Sequence, residues 1–93
     1  MIVNFKCKET ELIWNGSLSR KFPTDIQKKA WDKLKMLNAA ITLEDLLHPP
    51  GNDLGKKKGK LKEYMSIRVN DQWRICFKWD NNRAHEVYID DYH

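Results

Sequence analysis

The stretch Met65-Ser66-Ile67-Arg68-Val69-Asn70-Asp71-Gln72-Trp73-Arg74-Ile75-Cys76-Phe77-Lys78-Trp79 decides the fold. Met65, Ile67 and Val69 alternate with Ser66 and Arg68, and Trp73, Ile75, Phe77 and Trp79 alternate with Arg74, Cys76 and Lys78. A period of two marks strands with one buried face, and Asn70-Asp71-Gln72 carries turn chemistry between them. A one-residue slip would send every side chain to the wrong face, so the apolar pattern sets the register. A loop of Asn70-Asp71 alone would set Arg68 against Trp73 and mix the faces. A loop from Asn70 to Gln72 sets Val69 opposite Trp73, Ile67 opposite Ile75 and Met65 opposite Phe77, and gathers the large apolar groups on one face.

The same register puts Arg68 directly across from Arg74. Like charges so placed repel by roughly a few tenths of a kcal/mol or more, so an anion is expected between them. Working outward, Asp80-Asn81-Asn82 reads as a turn, and His85 to Asp90 as the last strand. Phe77 then lies beside Val87 and Ile75 beside Ile89 in the core. The polar side pairs Lys78 with Glu86 and Arg74 with Asp90, with Tyr88 and Tyr92 nearby. Its plain reading is a solvated sheet face with one ordinary ion pair, worth about 0–1 kcal/mol. Its chemical reading is a groove for RNA, where guanidinium binds phosphate and aromatic rings stack on bases.

Upstream, Ile2 to Cys7 alternates, with Val3, Phe5 and Cys7 against Asn4 and Lys6, as a short strand does. Glu9 to Trp14 fits a helical turn closed by Gly16. Pro23-Thr24-Asp25-Ile26-Gln27 reads as a capped helix start, with Thr24 accepting from the Gln27 amide and Gln27 reaching back. Ile26, Ala30, Leu34 and Leu37 follow at helical spacing, with lysines on the other side. Thr42-Leu43-Glu44-Asp45 repeats the cap pattern for a second, shorter helix, and Pro49-Pro50-Gly51-Asn52 stops it. With no repeat and no linker, residues 1–93 read as one compact α+β domain. Its parts are an N-terminal strand, two helices packed on one face of an antiparallel sheet, and a C-terminal β-meander.

A chain of 93 residues has little room for a deep substrate pocket, which favours a surface or shallow groove and a polymeric substrate. The net charge of +4 is concentrated: Lys56, Lys57, Lys58, Lys60 and Lys62 stand against Glu63 alone. Five minus one is the whole excess, and such a patch suits phosphate. Taken alone, a lysine loop is more often a solvated basic tip. The segment Gly55-Lys56-Lys57-Lys58-Gly59-Lys60 lacks phosphate-loop spacing, and Ser17, Ser19 and Ser66 form no triad pattern. Cys7 and Cys76 read as reduced, packed thiols, and His48, His85 and His93 show no ligand spacing, so neither metal nor cofactor is expected. No apolar run fits a signal peptide or a membrane span, which points to the cytoplasm.

Ribonuclease chemistry fits these groups without a metal, because the substrate's own 2′-hydroxyl attacks the adjacent phosphate. Arg68 and Arg74 suit the phosphorane charge, His93 can protonate the leaving oxygen, and Asp91 or Tyr92 can orient a group or move a proton. A terminal histidine is ordinarily frayed and inert.

The block Ser66 to Phe77 with the terminal Asp91-Tyr92-His93 resembles the HigB-type toxins of the RelE/ParE superfamily. Leu46, Pro49-Pro50-Gly51-Asn52, Leu54 and the Leu34-Leu37-Ala39-Ala40 stretch are similar to the same family, so the likeness covers most of the chain. The resemblance implies a RelE-like fold and a toxin of a type II toxin–antitoxin pair that cuts mRNA in the ribosomal decoding site. It also implies a HigA-type helix-turn-helix antitoxin, through which alone the toxin meets operator DNA. Carried over position by position, the catalytic residues are Arg68, Arg74, Asp91, Tyr92 and His93. The lysine loop, with His48 as a weaker candidate, faces RNA or ribosome. After Gly59 this chain has Lys60 and Leu61 where the family usually has an acidic residue and an arginine, so its loop is more basic. Two other readings compete: a DNA gyrase poison of the ParE branch, and a non-catalytic RNA- or ribosome-binding module.

Overall fold

The computed structural model describes residues 1–56 and 63–91. Lys57, Lys58, Lys60, Lys62, Tyr92 and His93, all expected at the site, lie outside the described residues.

The long helix forms where the apolar spacing predicts it. It runs Thr24–Ala39 (α2) and buries Ile26, Ala30, Leu34 and Leu37. A shorter helix, Lys8–Trp14 (α1), precedes it, and Asn15 and Gly16 end that helix with Gly16 at φ 87°. The expected Thr24–Gln27 cap does not form. Pro23 is the N-cap, and the buried Gln27 side chain instead bonds the Ser19 amide and the Ser19 and Phe22 carbonyls. Those backbone groups of the incoming chain would otherwise be buried unpaired, a larger cost than an uncapped exposed helix end. The Thr42–Asp45 capping box does form, but its helix, Leu43–Leu47, is 3-10 rather than α, and a second 3-10 turn follows at Pro50–Asn52.

Four antiparallel strands follow in sheet order: β1 (Gly55–Lys56), β2 (Tyr64–Arg68), β3 (Trp73–Asp80) and β4 (Arg83–Asp91). The start of the basic loop is therefore a strand, with Lys56 opposite Met65. The central hairpin has the expected register: Met65 with Phe77, Ile67 with Ile75 and Arg68 with Arg74. Val69 N–H donates to the Trp73 carbonyl, and Asn70 Oδ1 accepts from the Gln72 and Trp73 amides, which closes the loop from Asn70 to Gln72. In the next hairpin Ile75 pairs with Ile89 and Arg74 with Asp90. The expected Lys78–Glu86 pairing is replaced by Lys78–His85, because the register shifts between Cys76 and Lys78 and Glu86 adopts φ 52°. A bulge inserts one residue and bends the strand, so Lys78 and Glu86 still meet through their side chains at 2.9 Å.

The N-terminal segment does run beside β4, but in parallel and through two isolated bridges, Ile2–Ala84 and Phe5–Val87. Ile2 and Phe5 pack on the core while Val3 is exposed, so the alternation expected from Val3, Phe5 and Cys7 is broken. The partner strand explains it: the bulge at Glu86 takes up one residue, and the Glu86 amide donates to the Asn4 side chain instead of a backbone carbonyl. Apolar groups of α1, α2, the first 3-10 helix and the inner sheet face form one cluster around Leu34, Leu37, Leu46, Ile67, Ile75 and Phe77. Helices thus cover one face and leave the other to the polar residues. No helix among the described residues is long and apolar enough to cross a membrane.

Candidate active site

On the uncovered face, β2 contributes Tyr64, Ser66 and Arg68, β3 contributes Arg74, Cys76 and Lys78, and β4 contributes Tyr88 and Asp90. This face is not simply solvated. Tyr64, Ser66, Arg74 and Cys76 are all buried beneath their neighbours' long side chains.

The two arginines stand opposite each other, and among the described residues each has a carboxylate of its own. Arg68 pairs with Asp71 at the tip of the β2–β3 loop, where the Asp71 side chain is 98% exposed. Arg74 is held from below. Its Nε donates to Ser66 Oγ at 2.8 Å, Nη1 meets the Asp53 carboxylate at 3.2 Å, and Nη2 donates to the Asp53 and Ser66 carbonyls. At 7% exposure it is a fixed charge embedded in the face, whereas Arg68 is half exposed. The repulsion inferred from register is therefore relieved by two separate carboxylates. A long side chain reaches its own partner sideways more easily than two guanidinium groups converge on one.

Asp91 ends β4 opposite Trp73 and accepts from Gln72 Nε2 at 3.2 Å. Arg68, Arg74 and Asp90 thus share the uncovered face at the loop end of the sheet. Asp91, at the same end, shares the face of Trp73 on the helix side, and Tyr92-His93 continue directly from there in sequence. Lys56 is on β1, beside β2. His48 is exposed between the two 3-10 helices and joins the site only indirectly, as its carbonyl accepts from Asn52, the residue before Asp53.

Toward the other end of the face, Tyr64 and Tyr88 meet edge to face with ring centroids 5.5 Å apart, and Lys6 lies over both rings. Lys78 bonds Glu86 and Glu63 and sits 5.3 Å from the Tyr64 ring. The hydrogen bond from Lys78, helped by one from Tyr64, holds the Glu86 carboxyl below its ordinary value. Two lysines against two glutamates leave this cluster neutral. The apolar groove of about 360 Å³ between α1 and α2, lined by Ile13, Leu18 and Trp31, contains none of the expected site residues. No group of three or more His, Cys, Asp or Glu fit to hold a metal occurs among the described residues.

Sequence reasoning missed Asp53, Ser66 as a ligand of Arg74, and Asn52. An aspartate 21 positions before its arginine, after a Pro-Pro-Gly-Asn turn, carries no local signal of that contact.

Comparison with known proteins shows what the chain as a whole is similar to. A family model described as the RelE-like toxin of the type II toxin–antitoxin system HigB matches residues 4–93. Toxin HigB-1 of Vibrio cholerae is 37% identical, over 97% of this chain and 96% of that protein. Endoribonuclease HigB of Proteus vulgaris is 29% identical over the full length of both. Among solved structures, the YoeB–YefM complex from Staphylococcus aureus has a similar fold, with a TM-score of 0.57 at 20% identity over 100% of this chain and 98% of that one.

Proposed function

The chain belongs to the HigB family of RelE-like toxins of type II toxin–antitoxin systems, and from that premise we propose that it is a ribosome-dependent mRNA endoribonuclease. In this reading it cuts mRNA in the decoding site without a metal, and so arrests translation in the cytoplasm. The observation that carries the proposal is the pairing of an embedded arginine with an exposed one at the sheet end where Asp91 lies. A relative named an endoribonuclease supports the same chemistry.

The roles follow from the surroundings. Arg68 is tied to an exposed carboxylate, a pairing worth about 0–1 kcal/mol, so a doubly charged phosphorane can displace Asp71 and take two guanidinium hydrogen bonds. Arg74 does not move. It supplies a preorganised positive charge beneath the reacting phosphate, which costs no reorganisation during the reaction. The RNA 2′-hydroxyl attacks the phosphorus and the 5′-oxygen leaves. Asp91, Tyr92 and His93 are assigned to the proton transfers, with histidine the group best matched to neutral pH. The lysine loop from Lys56 to Lys62, with His48, is assigned to backbone phosphates of mRNA or ribosomal RNA. A HigA-type antitoxin is the proposed neutralising partner.

The test uses purified chain with labelled mRNA, free or on programmed ribosomes, with and without a chelator. Cuts confined to ribosome-bound message and indifferent to chelator are expected. Equal cutting of free RNA would overturn ribosome dependence, and loss of cutting on chelation would overturn the metal-free chemistry.

A further inference from the structure

The turn that holds Arg74 is itself held from a helix. Asn52 is fully buried, and its Nδ2 donates to the carbonyls of Leu46 and His48 at 3.2 Å each and meets Met36 Sδ at 3.1 Å. Its Oδ1 accepts from Lys33 Nζ of α2 at 2.5 Å. The next residue, Asp53, follows in left-handed backbone, φ 47° and ψ 52°, and turns both its carboxylate and its carbonyl to the Arg74 guanidinium. Because Asn52 and Asp53 are consecutive, a shift of the Asn52 side chain passes through a single peptide plane to two Arg74 acceptors.

Lysine is an expensive residue for this position. Its amine is drawn partly out of water, and that burial, followed by the charges of Lys29 and Arg68, holds it below the ordinary lysine range. A methionine there would have the same stem and none of that penalty. What the amine alone provides is an ordered donor for Asn52 Oδ1.

We infer that Lys33 is a positioning residue for Arg74: by fixing Asn52 it fixes the turn at residues 50–53, and with it the orientation of the guanidinium toward the RNA phosphate. The inference rests on the ribonuclease reading for its functional consequence, and on the Lys33–Asn52–Asp53–Arg74 chain of contacts for its structure.

Lys33→Met tests it. A misplaced group in a preorganised site costs up to about 10²-fold, so a fall in kcat of about 10-fold to 10²-fold on ribosome-bound mRNA is expected. KM should hardly change, and the protein should remain folded by circular dichroism. In an Arg74→Lys background the same substitution should have no further effect, since its influence runs through the guanidinium. Additive losses, or a change confined to KM, would mean that Lys33 touches RNA directly and would overturn the inference. A second measurement needs no RNA. Exchange of the Arg74 Nε–H, followed by nitrogen-15 NMR, should quicken in Lys33→Met and stay unchanged in Lys29→Met. Unchanged exchange in Lys33→Met overturns the inference whatever the activity. Faster exchange in a protein that never cuts RNA would support the coupling and count against the ribonuclease reading instead.

Discussion

Arg68 and Arg74 occupy facing positions on neighbouring strands, yet their environments give them different work. In the proposed mechanism Arg68 exchanges an exposed aspartate for a phosphate at little cost, so Arg68→Ala should lower cleavage about 10²-fold while leaving thermal stability almost unchanged. Arg74→Ala should lower both. It strips the buried Ser66 of its partner, at a cost of about 1–3 kcal/mol, which a melting curve would show as a fall of several degrees. Equal stability losses in the two variants would contradict this division of labour. The arginine pair was legible in the sequence because alternation fixes register. The partners were not: Asp53 reaches Arg74 from a turn outside both strands, and no periodicity encodes that contact.

At the scale of elements, the failed Thr24 cap and the broken N-terminal alternation have local causes in backbone hydrogen bonding. The Asn81-Asn82 turn joining β3 to β4 has φ of 52° and 59°, the left-handed pair that a two-residue hairpin turn demands. Asn82→Ala should therefore destabilise the fold by about 1 kcal/mol and Asn82→Gly should not, as measured by denaturant midpoints. The 3-10 helix after Thr42 is anchored by Asp45, whose carboxylate accepts from the Thr42 and Ile41 amides and is held below its ordinary value by them. A carboxyl with a depressed folded pKa contributes stability above its unfolded pKa and loses it as pH falls through the folded one. An NMR titration should accordingly place the Asp45 midpoint below that of a free aspartate, and Asp45→Asn should flatten the acid limb of the stability curve. The cap at Thr42 was readable from its motif. The failed cap at Thr24 was not, since Gln27 is claimed by the Ser19 and Phe22 backbone from outside its own helix.

Across the whole molecule, one sheet separates two tasks. The helices and the apolar alternation close the core on one side, and the same alternation gathers the charged and aromatic side chains on the other. The helices are nevertheless joined to that second face through Lys33, Asn52 and Asp53, so its preorganisation depends on the core beneath it. The central claim is that two unlike arginines stabilise attack by the RNA's own 2′-hydroxyl. Its most direct test is the chemistry of the cut ends on a ribosome-bound message, with and without a single 2′-deoxy nucleotide at the scissile position. The account predicts a 2′,3′-cyclic phosphate on the upstream fragment and no cleavage of the deoxy message. A 3′-hydroxyl end, or undiminished cutting at the deoxy position, would contradict it.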